Sequence, residues 1–334
     1  MDAIILVGGQ GTRLRPLTLT RHKSLVPVAN QPAIQHLLDW LAASGIERVV
    51  LALGQNNEDL VDACPEGQRG KLAITHVLER ERLESGGAIR NAARAAGVEG
   101  RFLVLNGDIY ADFDLSRALD AHAEAGARLT LALCPVANPS AFGVAVVDGD
   151  SMVTGFVEKP PPGTERSNLI NAGVWVFEPE LVDEIPPGVV SVEETLFPSL
   201  VGRGAGVLGY RFEGLWADLG TSARYLELSC ALARRRGTSF VADGASLAGA
   251  ATAEDSALGT GCVIEAGASI TKSVLWEDVR VGPGARVSDS ILADGVVIGQ
   301  DAVVQGAVLG RGAHVAAGRT VAPGTMIEPN GRFE

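Results

Sequence analysis

Leu6-Val7-Gly8-Gly9-Gln10-Gly11-Thr12-Arg13 is the stretch on which the reading of this chain turns. It completes the apolar run Ala3-Ile4-Ile5-Leu6-Val7, which has the length of a buried strand and is stopped by glycine. Gly8, Gly9 and Gly11 follow close together. Glycine admits positive φ and carries no Cβ to hold a ligand off, so a strand ending in such a loop offers several backbone N–H donors to phosphate. Thr12 adds a hydroxyl donor, and Arg13 a guanidinium that grips two phosphate oxygens. A lone Gly-x-Gly reads as a turn. Glycines, threonine and arginine directly after a first buried strand read as a nucleotide-phosphate loop.

Outward from that loop, Pro16 to Val28 carries two prolines beyond Arg15 and is expected to be extended, with Lys23 as a second cation facing the same phosphates. Ala33 to Ser44 has helical spacing and stops at Gly45. Arg48–Leu53 and Leu72–Val77 read as strands, and Ser85 to Ala96 as a helix that opens on Ser85-Gly86-Gly87, a second place for backbone to meet a ligand. The strand Arg101–Leu105 runs into Asn106-Gly107-Asp108, a carboxylate where open α/β sheets bind ligands and where Mg²⁺ is held against phosphates. The alternation to about residue 135 predicts a doubly wound parallel sheet. From Ala141 the pattern changes to strands whose ends carry polar groups or glycine: Gly143, Glu158 with Lys159, and Asn171. A few placed hydrogen-bonding groups on a rigid sheet suit a sugar. Trp216-Ala217-Asp218 supplies a second strand-end aspartate, and Asp108 with Asp218 makes a candidate magnesium pair.

From about Ser246 the chain is different material. Leu258, Ile264 and Ile270, then Val281 and Val287, Ile298 and Val304, and Val315, Val321 and Ile327 recur six apart among Gly, Ala and Val. This repeat predicts a parallel β-helix, with register slips near Trp276 and Leu309.

Composition narrows the function. The 334 residues suggest about two domains, and 46% hydrophobic content supports a sizeable core. A net charge of −12 without a basic stripe argues against nucleic acid. Cys64, Cys134, Cys230 and Cys262 form no CxxC pair and read as buried thiols. The N-terminal apolar run is too short for a signal peptide or membrane span, so no membrane partner and a cytoplasmic location are expected.

Taken together, LVGGQGTRLRPLT, LNGD at 105–108, FGV at 142–144, VEKP at 157–160, NAGVWVF at 171–177, WADLGT at 216–221 and the hexapeptide tail resemble the sugar-1-phosphate nucleotidyltransferases, most closely the mannose-1-phosphate guanylyltransferase group. The resemblance implies a Rossmann-like α/β nucleotidyltransferase domain over 1–235 and a left-handed parallel β-helix over 246–330. It implies a reaction of a nucleoside triphosphate, GTP favoured, with a sugar 1-phosphate, aided by Mg²⁺, and a homo-oligomer formed through the β-helix. Carried over, Leu6, Gly8, Gly9, Gly11, Thr12, Arg13, Glu79, Gly86 and Gly87 would hold the nucleotide. Arg13 and Lys23 would act on the phosphates, and Asp108 and Asp218 would hold the metal. Gly143, Glu158, Lys159 and Asn171 would bind the sugar phosphate.

Two departures keep alternatives open. His22-Lys23-Ser24 stands where many relatives read PKP. Leu83-Glu84-Ser85-Gly86-Gly87 is closer to enzymes acting on manno-heptose or N-acetylmuramate 1-phosphate, which use other bases. Glu79 or Glu81 would accept from guanine N1 and N2, or be solvated charges. Acyl transfer through His314, and a binding protein without turnover, are the rival readings.

Overall fold

The computed structural model describes residues 1–55 and 57–334. The chain packs as two compact units, one of Met1–Gly9 with His36–Trp216 and one of Gln10–Gln35 with Ala217–Glu334.

The first unit is built on a ten-stranded mixed sheet. Its principal strands are β1 (Asp2–Leu6), β2 (Arg48–Leu53), β3 (Leu72–Leu78), β4 (Phe102–Asn106), β5 (Leu129–Pro135), β6 (Gly143–Val147), β7 (Val153–Glu158), β8 (Leu169–Phe177) and β9 (Val207–Arg211). The path β7-β6-β8-β4-β1-β2-β3 puts β1 in the middle, and β8 also pairs with β5, which pairs with β9. Because β1 is covered on both faces, Ala3, Ile4 and Ile5 are fully buried, which is why it reads as a continuous apolar run without alternation. β1, β2, β3 and β4 run parallel, as the strand–helix alternation predicts. The helices α1 (Ala33–Ala43) and α2 (Glu84–Ala95) lie between these strands in the chain, and α3 (Leu115–Glu124) between β4 and β5. After residue 141 the strict strand–helix alternation stops and antiparallel pairs enter the sheet, β6 on β7 and β8 on β4, while β9 still runs parallel to β5.

In the second unit the expected extended segment is instead a series of short 3₁₀ turns, Thr12–Leu14, Leu17–Leu19 and Lys23–Leu25, closed by a small hairpin of Pro27–Val28 with Gln31–Pro32. Local side-chain bonds make the difference. The Thr18 hydroxyl donates to the Gly11 carbonyl at 2.7 Å, and the Ser24 amide donates to His22 Nδ1 at 3.2 Å. Helix α4 (Ser222–Arg235) follows, and then the left-handed parallel β-helix.

The β-helix has three flat sheets whose strands pair in parallel from coil to coil, Ala257 on Val274 on Ile291 for example. Leu258, Ile264, Ile270, Leu275, Val281, Val287 and Leu292 are buried in its core. The slips in the six-residue repeat prove to be regular. One corner in each coil is a residue shorter, and the coil repeats every 17 residues. Asp255, Lys272 and Asp289 take positive φ at that corner, and each is followed by a fully buried serine. Ser273 Oγ donates to the Thr271 carbonyl at 2.8 Å and accepts from the Ser290 amide at 3.2 Å, one coil on. Ser256 and Ser290 do the same, so the hydroxyls form a ladder that satisfies amides the tight corner would orphan. Ser273→Ala should therefore leave the buried Ser290 N–H unpaired and cost about 1–3 kcal/mol. Differential scanning calorimetry should show a lowered melting temperature with unchanged far-UV circular dichroism.

Candidate active site

In the first unit the chemistry collects at the C-terminal ends of the parallel strands. Leu6 at the end of β1 lies between Ala52 of β2 and Asn106 of β4. Beyond it the backbones come close. A Cβ on Gly54 would lie 2.8 Å from the Gly8 Cα, so the chains leaving β1 and β2 touch because Gly54 has no side chain. Gly107 is as tightly placed: its amide donates to the Leu6 carbonyl at 2.9 Å, and a Cβ there would strike Val7. This turn sets Asp108 beside the start of the glycine loop.

Glu79 follows β3 and is buried, whereas Glu81 is exposed. Its carboxylate accepts from the Leu83 amide at 3.3 Å and lies 3.6 Å from where a Gly8 Cβ would be. Burial pushes its pKa up. Gly86 and Gly87 have a second use. Their amides donate to the Val190 carbonyl at 2.7 and 3.2 Å, and a Cβ on Gly86 would lie 2.8 Å from that oxygen. The glycines thereby seat α2 against the neighbouring segment.

The sugar candidates form a row. Gly143 of β6 pairs directly with Glu158 of β7. Val144 pairs with Ile170 of β8, so one step along Gly143 faces Asn171. Asn171 Oδ1 accepts from the Gly173 amide at 3.1 Å and from Trp175 Nε1 at 2.6 Å, which leaves its amide N–H groups as donors. Glu158 supplies the matching acceptor. Consecutive strand residues point to opposite faces. Lys159 takes φ 44° and so escapes this rule, and its ammonium pairs with Glu158 Oε1 at 2.7 Å. Trp216 Nε1 donates to the Ala172 carbonyl at 2.8 Å, bracing β8 beside the row.

In the second unit Gly11 takes φ 60°, and a Cβ there would lie 3.1 Å from the Lys23 Cβ. Lys23 is buried rather than solvated. His22 holds φ −58°, the value a proline would impose, so the departure from PKP preserves the backbone. Arg13 is exposed, and its Nη2 and the Asp218 carboxylate both crowd Gly220. Asp218 Oδ1 accepts from Arg224 Nη1 at 2.6 Å. Among the described residues no group of three or more His, Cys, Asp or Glu forms a metal site. Magnesium held through one or two carboxylates and substrate phosphates needs none, and hard carboxylate oxygens are its ordinary ligands.

Two residues escaped the sequence reading. Arg224 sits in the first turn of α4, where the helix dipole disfavours a cation, and that misplaced charge was its signal. Glu193 accepts from Ser191 Oγ at 2.9 Å and from Ser85 Oγ, tying the start of α2 to the 191–193 loop. Burial raises its pKa, and only its setting between Val192 and Leu196 hinted at it. His314 lies in a β-helix strand between Val297 and Arg332.

A family model for nucleotidyl transferase matches residues 2–235, and one described as GlmU-like, C-terminal hexapeptide matches residues 237–327. The chain is 38% identical over 260 residues to the mannose-1-phosphate guanylyltransferase of Mycobacterium tuberculosis, covering 74% of this chain and 71% of that one. It is 36% identical over 234 residues to the mannose-1-phosphate guanyltransferase of Schizosaccharomyces pombe, covering 69% and 64%. The mannose-1-phosphate guanylyltransferase catalytic subunit beta of Danio rerio is 36% identical, with the same coverage. Among the described residues no helix is long and apolar enough to cross a membrane.

The row makes a pointed prediction. A Cβ on Gly143 would lie 2.7 Å from Glu158 Oε2. The Phe156 ring is as close, at 2.6 Å, so Gly143→Ala should displace both side chains; for an enzyme that holds a sugar phosphate on this row, KM for that substrate should rise roughly tenfold in steady-state kinetics, with a lowered melting temperature from the shift at Phe156.

Proposed function

The chain belongs to the nucleotidyl transferase family, and from that premise we propose that it transfers a nucleotidyl group from GTP to mannose 1-phosphate, releasing pyrophosphate. The observation that carries this reading is the strand end shared by Gly8, Asp108 and the row Glu158–Gly143–Asn171. One sheet edge thereby offers a phosphate loop, a carboxylate and a sugar-sized set of donors and acceptors.

The attacking group is a phosphate oxygen that is already anionic, so no general base is needed. The barrier lies in bringing two polyanions together and in charge building on the leaving pyrophosphate. In this reading Gly8, Gly9, Gly11 and Thr12 receive the triphosphate, and Arg13 and Lys23 stabilise the leaving group. Lys159 holds the sugar phosphate, with Glu158 and Asn171 fixing sugar hydroxyls. Nucleotidyltransferases of this family generally use a divalent metal, and we take Mg²⁺ as the ion, with Asp108 and Asp218 as its ligands. Its positive charge would neutralise phosphate oxygens. Glu79 accepts from guanine N1 and N2, which supports GTP over the other triphosphates. Homologous β-helix tails would assemble the chain into a homo-oligomer.

The test is pyrophosphate release across four nucleoside triphosphates and a panel of mannose, glucose, manno-heptose and N-acetylated sugar 1-phosphates with Mg²⁺. Turnover is expected with GTP and mannose 1-phosphate. Silence across the panel overturns the reading, and turnover confined to another pair overturns the specificity. Asp108→Asn should lower kcat on the order of 100-fold or more. Because burial raises the Glu79 pKa, its acceptor is lost at a higher pH than for an ordinary glutamate. Preference for GTP over ATP should accordingly fall on acidification, whereas Glu79→Gln should show a reduced preference that pH does not change.

A further inference from the structure

The segment that carries Lys23 is held from the β-helix at three successive coils. Asn30 Nδ2 donates to the Leu258 carbonyl at 2.6 Å. One coil on, Trp276 Nε1 donates to Tyr225 Oη at 2.9 Å, and that hydroxyl donates its only proton to the Pro27 carbonyl at 2.6 Å. Another coil on, Asp294 Oδ2 accepts from Arg21 Nη2 at 3.0 Å. Arg21 also lies over the Trp276 ring, 4.9 Å from its centroid. Leu258 pairs with Leu275 and Leu275 with Leu292, so Leu258, Trp276 and Asp294 leave the same end of one sheet of the solenoid.

This is more than incidental packing. Trp276 and Tyr225 are fully buried, and α4, which carries Tyr225, packs on the same two coils and on Pro27–Val28. The second carboxylate oxygen of Asp294 is buried with no partner among the described residues, so Arg21 is the group that compensates this charge. Arg21 stands two residues before Lys23, whose stem packs on Gly11. A displacement at Arg21 therefore passes directly to the phosphate loop.

We propose that Arg21, Trp276 and Asp294 are positioning residues for nucleotidyl transfer, the β-helix setting the place of Lys23 and Gly11 through them. The inference rests on the functional reading above. It gives the solenoid a part in the chemistry of each subunit, apart from any part in assembly.

The experiment compares wild type with Asp294→Asn, Trp276→Phe and Arg21→Lys. Asp294→Asn keeps shape and removes the charge. Trp276→Phe keeps a ring and removes the N–H. Arg21→Lys keeps the charge and loses the fork. Each is expected to lower kcat roughly tenfold, with KM for the sugar phosphate unchanged, since a loop misplaced by a fraction of an ångström costs rate before fold. Arg21→Lys combined with Asp294→Asn should be no worse than the poorer single variant. Hydrogen exchange on the unliganded protein should show faster exchange of the 21–28 amides in Asp294→Asn and Trp276→Phe, with coils beyond residue 300 unchanged. Wild-type rates in all three variants, or losses that appear only as the protein unfolds, overturn the inference. If wild type itself turns over no pair of substrates, the functional reading fails, and unaltered exchange at 21–28 then overturns the positioning inference on its own.

Discussion

A segment made of single turns has few backbone bonds of its own with which to hold itself. Gln10–Gln35 lies under that constraint. Its 3₁₀ turns are three residues each, yet ordering it costs about 1–2 kcal/mol per residue in backbone entropy. Burial of Leu14, Leu17, Leu25, Val26 and Val28 offsets part of this cost. The remainder comes from specific hydrogen bonds: threonine and histidine side chains inside the segment, and Tyr225, Leu258 and Asp294 outside it.

Charge is sorted locally within each unit. In the second, Asp218 is paired with Arg224; in the first, Glu158 is paired with Lys159 and Glu79 is buried with its pKa raised. In an overall negative protein such local arrangements decide the field within a few ångströms, where they outweigh the distant surface.

Much of this was legible in the residues. The central strand announced itself by an apolar run too continuous for a half-exposed strand, whereas the close approaches at Gly107, Gly143 and Gly173 emerge only from the fold. A Cβ on Gly173, for instance, would lie 2.6 Å from Asn106 Nδ2. The solenoid was visible because a six-residue aliphatic period survives any detail of its corners. Other features were hidden for physical reasons. Periodicity cannot show a 3₁₀ turn made by one hydroxyl or one imidazole, so Pro16–Val28 read as extended. A glycine pair at a helix start gives no sign that its amides reach a carbonyl far along the chain, as those of Gly86 and Gly87 reach Val190. Arg224 and Glu193 matter through partners distant enough that spacing carries no trace of them, except as a charge placed where helix or core would not want one.

The serine ladder bears on how such a tail can vary. The 17-residue coils close their short corner with a left-handed residue, followed by buried Ser256, Ser273 or Ser290 and, at Gly306, by Ala307, and every strand takes its register from the coil below. One residue inserted within a strand would turn the side chains after it to the opposite face, whereas a corner takes one up: the last coil spaces Val308 and Met326 one residue wider and still stacks Ile327 on Leu309. A solenoid of this kind can therefore vary in length at its corners, and the hydroxyl ladder marks the corner that has the least slack.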